Sequence, residues 1–204
     1  MIIDFDELTG GEIYHAMTQT IIPRPVAWIL SENPAGDYNL APFSFFTAIG
    51  STPPLIMVSV GKKPSGEFKD TRTNIEARGQ FTIHLAHREL AADMTETSRV
   101  LPHGESELNN VDLPLVDFDG FPMPRLADCR IAVGCELYEI KEVGEQPQSL
   151  IFGRIRRIYV ADDVTGVDDK GRFRVDAARV DPIGRLGGSE YVTFGDVLSI
   201  PRPT

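Results

Sequence analysis

Cysteine, tryptophan, contiguous positive charge and long apolar runs are all scarce in this chain. Its 204 residues include two cysteines and one tryptophan. Cys129 and Cys135 fall on a stretch that reads as one continuous strand, where six residues of extended chain span roughly 20 Å. That separation forbids a disulfide between them, so two buried free thiols are expected. Acidic residues outnumber basic ones, 30 against 20, for a net charge of −10. The basic residues never run longer than a pair such as Arg156-Arg157. Such a field repels phosphate backbones and anionic lipid, which argues against nucleic acid as a partner. The longest apolar run, near Leu55–Val60, is far below the roughly 20 residues that span a bilayer. The first residues, Met1-Ile-Ile-Asp4, lack the basic and apolar regions of a signal peptide. No membrane partner and a cytoplasmic location are the expectation.

Familiar chemical signatures are missing too. No Gly-x-Gly-x-x-Gly follows a first strand, and Gly61-Lys62-Lys63 does not continue as a phosphate-binding P-loop. No Gly-x-Ser-x-Gly nucleophile elbow occurs, so hydrolysis is unsupported. His84 and His87 stand three apart, which on a strand points them to opposite faces. With no third ligand at suitable spacing and no Cys-x-x-Cys pair, no metal site is expected. No side chain is assigned as a catalytic acid, base or nucleophile.

What is present is a β-rich pattern. An apolar content of 42% is ordinary for a globular protein, and the length fits one domain over residues 1–204. Val26–Ser31, Tyr38–Ala48, Leu55–Val60, Gln80–Ala86, Arg130–Val143 and Leu150–Ala161 read as strands, with Arg174–Arg179 a short edge strand. Helical spacing is confined to residues 9–19, Asp70–Ala77, Arg88–Ser98 and, weakly, Glu190–Leu198. Regular strand–helix alternation is absent, so an antiparallel barrel with a few peripheral helices is expected rather than a doubly wound sheet. Residues 99–128, with Pro102, Pro114, Pro122 and Pro124, form a long irregular loop inside that domain. Loops of this length usually cover a site or an interface.

The most distinctive segment is 39–61. Two apolar runs flank Gly50-Ser51-Thr52-Pro53-Pro54, and their ends carry small polar residues and glycine instead of charge. A charge-free, aromatic-rich hairpin of this kind suits a flat, partly apolar ligand. Downstream, Ser65-Gly-Glu-Phe-Lys69-Asp70-Thr71-Arg72-Thr73-Asn74 leads into a helix whose first N–H groups carry partial positive charge. Lys69, Thr71 and Asn74 either add donors for a phosphate there or simply belong to an ordinary capped helix start.

Taken in order, Pro23-Arg-Pro-Val-Ala-Trp28, Asn39-Leu-Ala-Pro-Phe-Ser-Phe-Phe46, Pro53-Pro-Leu-Ile-Met-Val-Ser-Val-Gly61 and Lys69-Asp-Thr71 resemble the flavin reductase-like FMN-binding family. Phe81-Thr-Ile-His-Leu85 and Pro182-Ile-Gly-Arg185-Leu-Gly187-Gly188-x-x-Tyr191 extend the resemblance over about residues 15 to 191. It implies a mainly β, antiparallel split barrel that binds FMN and works as a homodimer. It also implies an oxidoreductase taking electrons from NAD(P)H. The alternatives are a non-catalytic FMN carrier with a redox protein as electron donor, or a cofactor-free dimeric binding module. By position, Asn39, Pro42, Phe43, Ser44, Phe45 and Phe46 would line the flavin ring. Ser59, Val60 and Gly61 would border the ring and its ribityl chain. Ser65, Lys69, Thr71 and Asn74 would hold the phosphate, and Arg185, Gly187 and Tyr191 would approach late in the chain. Trp28 reads as core more readily than as a flavin contact. One departure stands out: Gly144-Glu-Gln-Pro-Gln148 occupies the place where such reductases often carry Gly-Asp-His, and it has no histidine.

Overall fold

The computed structural model describes residues 1–201 and 203. Seven strands form one sheet: β1 (Ala27–Glu32), β2 (Tyr38–Phe43), β3 (Phe46–Ser51), β4 (Pro54–Val60), β5 (Gln80–Leu85), β6 (Ile131–Val143) and β7 (Gln148–Val160). Every pairing is antiparallel and the order is β2-β1-β5-β6-β7-β4-β3. β2 and β3 are thus the two edges of the sheet, yet only Ser44 and Phe45 separate them in sequence. Two residues of chain reach less than about 10 Å, so the sheet must roll until its edges meet. No ladder joins those edges, and the result is a split barrel. The amide of Ser59 donates to the Phe45 carbonyl at 2.8 Å, which carries the β3–β4 ladder one residue further into the two-residue link.

Hydrophobic packing follows the curl. Ala27, Ile29, Val58, Phe81, Ile83, Cys135 and Ile151 fill the barrel interior. Ile75 plugs it from helix α2 (Asp70–Arg78). Trp28, Leu30 and Leu40 point the other way and are also buried. Helix α3 (Ala91–Glu96) covers them with Met94, and the long loop with Leu113 and Leu126. β1 is therefore buried on both faces, which is why its sequence is continuously apolar instead of alternating. His84 pins the loop to β5. Its Nε2 accepts the Leu126 amide at 3.0 Å while its Nδ1 donates to the Trp28 carbonyl at 3.2 Å. Complete burial holds the ring neutral, with its pKa pushed down to about 3.

Several sequence expectations need correction. Tyr38–Ala48 is two strands, because the chain leaves one sheet edge at Phe43 and joins the other at Phe46. Cys129 lies before β6 rather than on the strand with Cys135. Both thiols are nevertheless free and buried, one in the outer core cluster and one inside the barrel. Arg174–Arg179 splits into a strand, Phe173–Val175, and a helical turn, Ala177–Val180. Asp176 caps that turn by accepting from the Ala178 and Arg179 amides. Glu190–Leu198 is not helical. Tyr191–Val192 pairs instead with Gly184–Arg185, and residues 193–201 have no regular structure and leave Val197 and Leu198 exposed. Arg88–Ser98 starts as a 3-10 turn, Arg88–Leu90, before α3.

Candidate functional site

Lys69 is the N-cap of α2, in extended backbone, and Gly79 in the left-handed region (φ 74°) ends the helix. The cap makes no side-chain hydrogen bond to the first turn. The ammonium instead lies 5.3 Å from the centroid of the Phe43 ring. It lines two adjoining cavities, and burial lowers its pKa. Among the described residues no carboxylate forms an ion pair with it, although neighbouring Lys63 is paired with Asp70 at 3.1 Å. A partly desolvated cation at the positive end of a helix, with no ion-pair partner among the described residues, favours an anion beside it.

Three adjoining cavities meet at Pro42, which lines them all. The first is enclosed by Asn39, Phe43, Lys69 and Thr71 on one side and by Thr97–Leu101 and Glu107 on the other. The second, about 360 Å³, runs past Ser44 to Arg185 and Tyr191. The third, about 300 Å³, is bounded by Phe45, Ser59, Gly61 and Gln148. The barrel seam thus opens into a depression with an apolar floor and a cationic end. Lys62, Lys63, Lys69 and Arg99 all face it in a chain whose net charge is strongly negative.

Arg24 holds the rim together. It is buried, and its Nη1 donates to the Thr18 and Ile21 carbonyls at 2.8 and 2.7 Å, at the end of helix α1 (Gly10–Thr20). Its Nη2 donates to the Leu186 carbonyl at 2.9 Å, and its Nε donates to the Ser44 hydroxyl at 3.3 Å. One guanidinium therefore sets the relative positions of α1, the Arg185 turn and the seam. Tyr14 of α1 reaches the depression as a result, with its ring 6.4 Å from Phe45. Arg185 stacks 4.6 Å from Tyr191, whose hydroxyl meets Thr95 at 3.0 Å.

The expected residues divide accordingly. Asn39, Pro42, Phe43, Ser44, Phe45, Ser59, Gly61, Lys69, Thr71, Arg185 and Tyr191 lie on the cavity walls. Phe46 and Val60 instead pack with the interior cluster. Ser65 is exposed at the tip of a turn and donates to Glu67. Gly187 is buried beneath the side-chain amide of Gln19. Asn74 is one turn too deep in the helix to reach the cavity. Its amide donates to Asn33 at 2.8 Å and Ser31 at 3.3 Å, which fastens α2 to the barrel. Trp28 is core, its indole N–H donating to Thr97 at 2.9 Å.

The walls also include residues that carry no motif. Glu107 comes from the long loop, is buried, and accepts the Leu40 amide at 3.0 Å. Burial pushes its carboxyl up to about 7, against the Leu40 hydrogen bond. Gln148 stands at the start of β7, facing Gly61, and closes the 144–148 stretch, which has no histidine. Nothing in the sequence marks Glu107, one acid in a polar loop.

Residues 17–175 match the sequence profile of the flavin reductase like domain. The chain belongs to the flavin reductase-like family. Within this family it is similar to component B of nitrilotriacetate monooxygenase from Bacillus cereus, at 33% identity and a TM-score of 0.88 over 98% of both chains. It is also similar to 2-nitrobenzoate 2-nitroreductase NbaA of Pseudomonas fluorescens, at 31% identity and a TM-score of 0.88, covering 100% of this chain and 97% of that one. A split-barrel protein of Shewanella frigidimarina shares the fold over the full length of both chains, at 21% identity and a TM-score of 0.85. In this flavin reductase-like chain the depression at the seam is the one place where an apolar floor, polar edges and an unpaired cation coincide among the described residues.

Proposed function

We propose that this chain is an FMN-dependent oxidoreductase that takes electrons from NAD(P)H. The observation that carries the cofactor is Lys69, a half-buried ammonium with no acid partner among the described residues, at the start of α2. An FMN phosphate supplies the missing anion, and the buried Thr71 hydroxyl stands beside it. Phe43, Pro42 and Phe45 give a flat ring an apolar bed, and Ser44, Ser59 and Gln148 offer polar groups along its edge. The bound flavin supplies the redox chemistry, and the protein supplies binding, orientation and access. Arg185 makes no ion pair among the described residues and brings positive charge to the second cavity, where a reduced, anionic ring gains from it.

NAD(P)H as the donor is supported by the likeness to a monooxygenase component and a nitroreductase, since monooxygenation and nitro-group reduction both consume electrons. With no histidine in the 144–148 stretch, the nicotinamide is left to be held by other groups, and Tyr14 and Arg185 at the open rim suit that role. The chain works as a homodimer, a reading supported by the exposed apolar side chains of Ile21, Ile22 and Ile49. Anaerobic mixing of the FMN-loaded protein with NADH and with NADPH tests the reaction. Loss of the oxidised flavin absorbance with either one is expected. No loss with both would leave an electron carrier fed by a redox protein.

A further inference from the structure

The side chains of Glu107, Asn39 and Thr71 form a buried row along the first cavity. One end of the Asn39 amide lies 3.3 Å from each Glu107 oxygen, and the other lies 2.9 Å from the Thr71 hydroxyl oxygen. An amide has one donating end and one accepting end, whereas an ionised carboxylate only accepts. The row therefore has two self-consistent arrangements.

With Glu107 ionised, the Asn39 NH2 must face it. The Asn39 oxygen then accepts the Thr71 hydroxyl hydrogen, and only Thr71 lone pairs are left for the cavity. With Glu107 neutral, its O–H donates to the Asn39 oxygen. The NH2 end turns to Thr71 at 2.9 Å and toward Ser31 at 3.4 Å, and the Thr71 hydrogen is free to donate into the cavity. The Leu40 amide donates to Glu107 Oε2 in both arrangements. A proton on the long loop is thereby converted into a hydrogen-bond donor at the start of α2.

We propose that Glu107 is a positioning residue that, through a turn of the Asn39 amide, aims the Thr71 hydroxyl at a bound phosphate only when its own carboxyl is neutral. This rests on the reading of Lys69 and Thr71 as the phosphate end. The charged groups around the row are Asp70 from α2, Lys63 and Lys69 from the segment before it, and Arg99 and His103 from the chain after α3. Asp70 adds to the upward push of burial on Glu107, and Lys63 opposes it. An arriving phosphate adds further negative charge and draws a proton onto Glu107.

The test measures FMN and riboflavin affinities from pH 6 to 8.5, together with proton uptake on FMN binding from calorimetry in two buffers. Wild type is compared with Glu107→Gln, whose carboxamide donates to Asn39 at every pH. The phosphate of FMN titrates near pH 6 in both proteins, so it drops out of the comparison. The FMN-over-riboflavin preference of wild type should fall about tenfold relative to the variant as pH rises past 7. Wild type should also take up more protons than the variant at pH 8. Equal pH slopes and equal proton counts would overturn the relay while leaving the phosphate reading intact. No preference for FMN over riboflavin in either protein would remove the phosphate reading and the relay with it. Should Glu107→Gln fail to fold, the nearly isosteric Thr71→Val decides. Proton uptake linked to FMN should fall in it although Glu107 remains, and uptake equal to that of wild type would show coupling by charge alone and sink the relay.

Discussion

The Lys69 ammonium sits over the Phe43 ring, 5.3 Å from its centroid, so the cation at the helix start and the aromatic floor share one wall. Removing the cation separates the two halves of the ligand. Lys69→Ala with Thr71→Ala should weaken FMN by about ten- to a hundredfold and riboflavin far less, because charge-assisted bonds to the phosphate are lost. Fluorescence titration of both flavins checks this. Equal losses would place the phosphate elsewhere.

Glu107 and His84 should tilt the pH dependence of stability in opposite directions. The carboxyl of Glu107 stands near 7 when folded against about 4.5 unfolded, so the folded state keeps a proton that the unfolded chain has shed between those values. Stability from this group therefore falls as pH rises through that window. His84 stands near 3 when folded against about 6.5 unfolded, so the unfolded chain takes a proton that the native ring refuses. Its contribution is present above about 6.5 and is lost as pH falls toward 3. Urea unfolding across pH 4 to 8 should show Glu107→Gln gaining about 1–3 kcal/mol on wild type by pH 8. His84→Gln should flatten the acid limb by on the order of 1 kcal/mol per pH unit.

Much of this arrangement was legible where the determining physics is local. α2 declares itself by a turn-rich lead, polar first-turn residues and Gly79, and Lys69 and Thr71 were found with it. The long strands β6 and β7 follow from their composition. The step from β2 to β3 was not legible, since the switch at Ser44-Phe45 depends on which distant strand each run pairs with. Asn74 has the right residue type and sits near the right helix end, but its height in the helix gives it to Asn33. Glu107 acts only because the loop folds it beneath Leu40, a contact across 67 residues. Arg24 lay within a family motif, yet three of its four partners are backbone carbonyls, which no side-chain pattern records.

Arg24→Lys tests that last role. A lysine cannot reach the Thr18, Ile21 and Leu186 carbonyls and the Ser44 hydroxyl together, so buried acceptors lose their donor. We expect a loss of about 2–4 kcal/mol. Hydrogen exchange should quicken in residues 10–20 and 184–192 more than in β5 and β6. A uniform increase over the whole chain would deny Arg24 its local role.

Gly153 tests the barrel itself. It lies in β7 beside a register shift, where a Cβ would stand 2.6 Å from Phe81 Cζ, 3.0 Å from Ile56 Cδ1 and 3.3 Å from Cys135 Cβ. Phe81 is fully buried, so its ring has nowhere to retreat. Gly153→Ala should cost about 1–3 kcal/mol through overpacking. The same change in a Phe81→Leu background should cost much less, since the shorter side chain vacates the contested space. A double-mutant cycle by denaturant unfolding measures the coupling. Strict additivity would mean that the glycine serves the strand's bend and not the ring, whereas a large coupling ties the interior packing of the split barrel to this one missing methyl group.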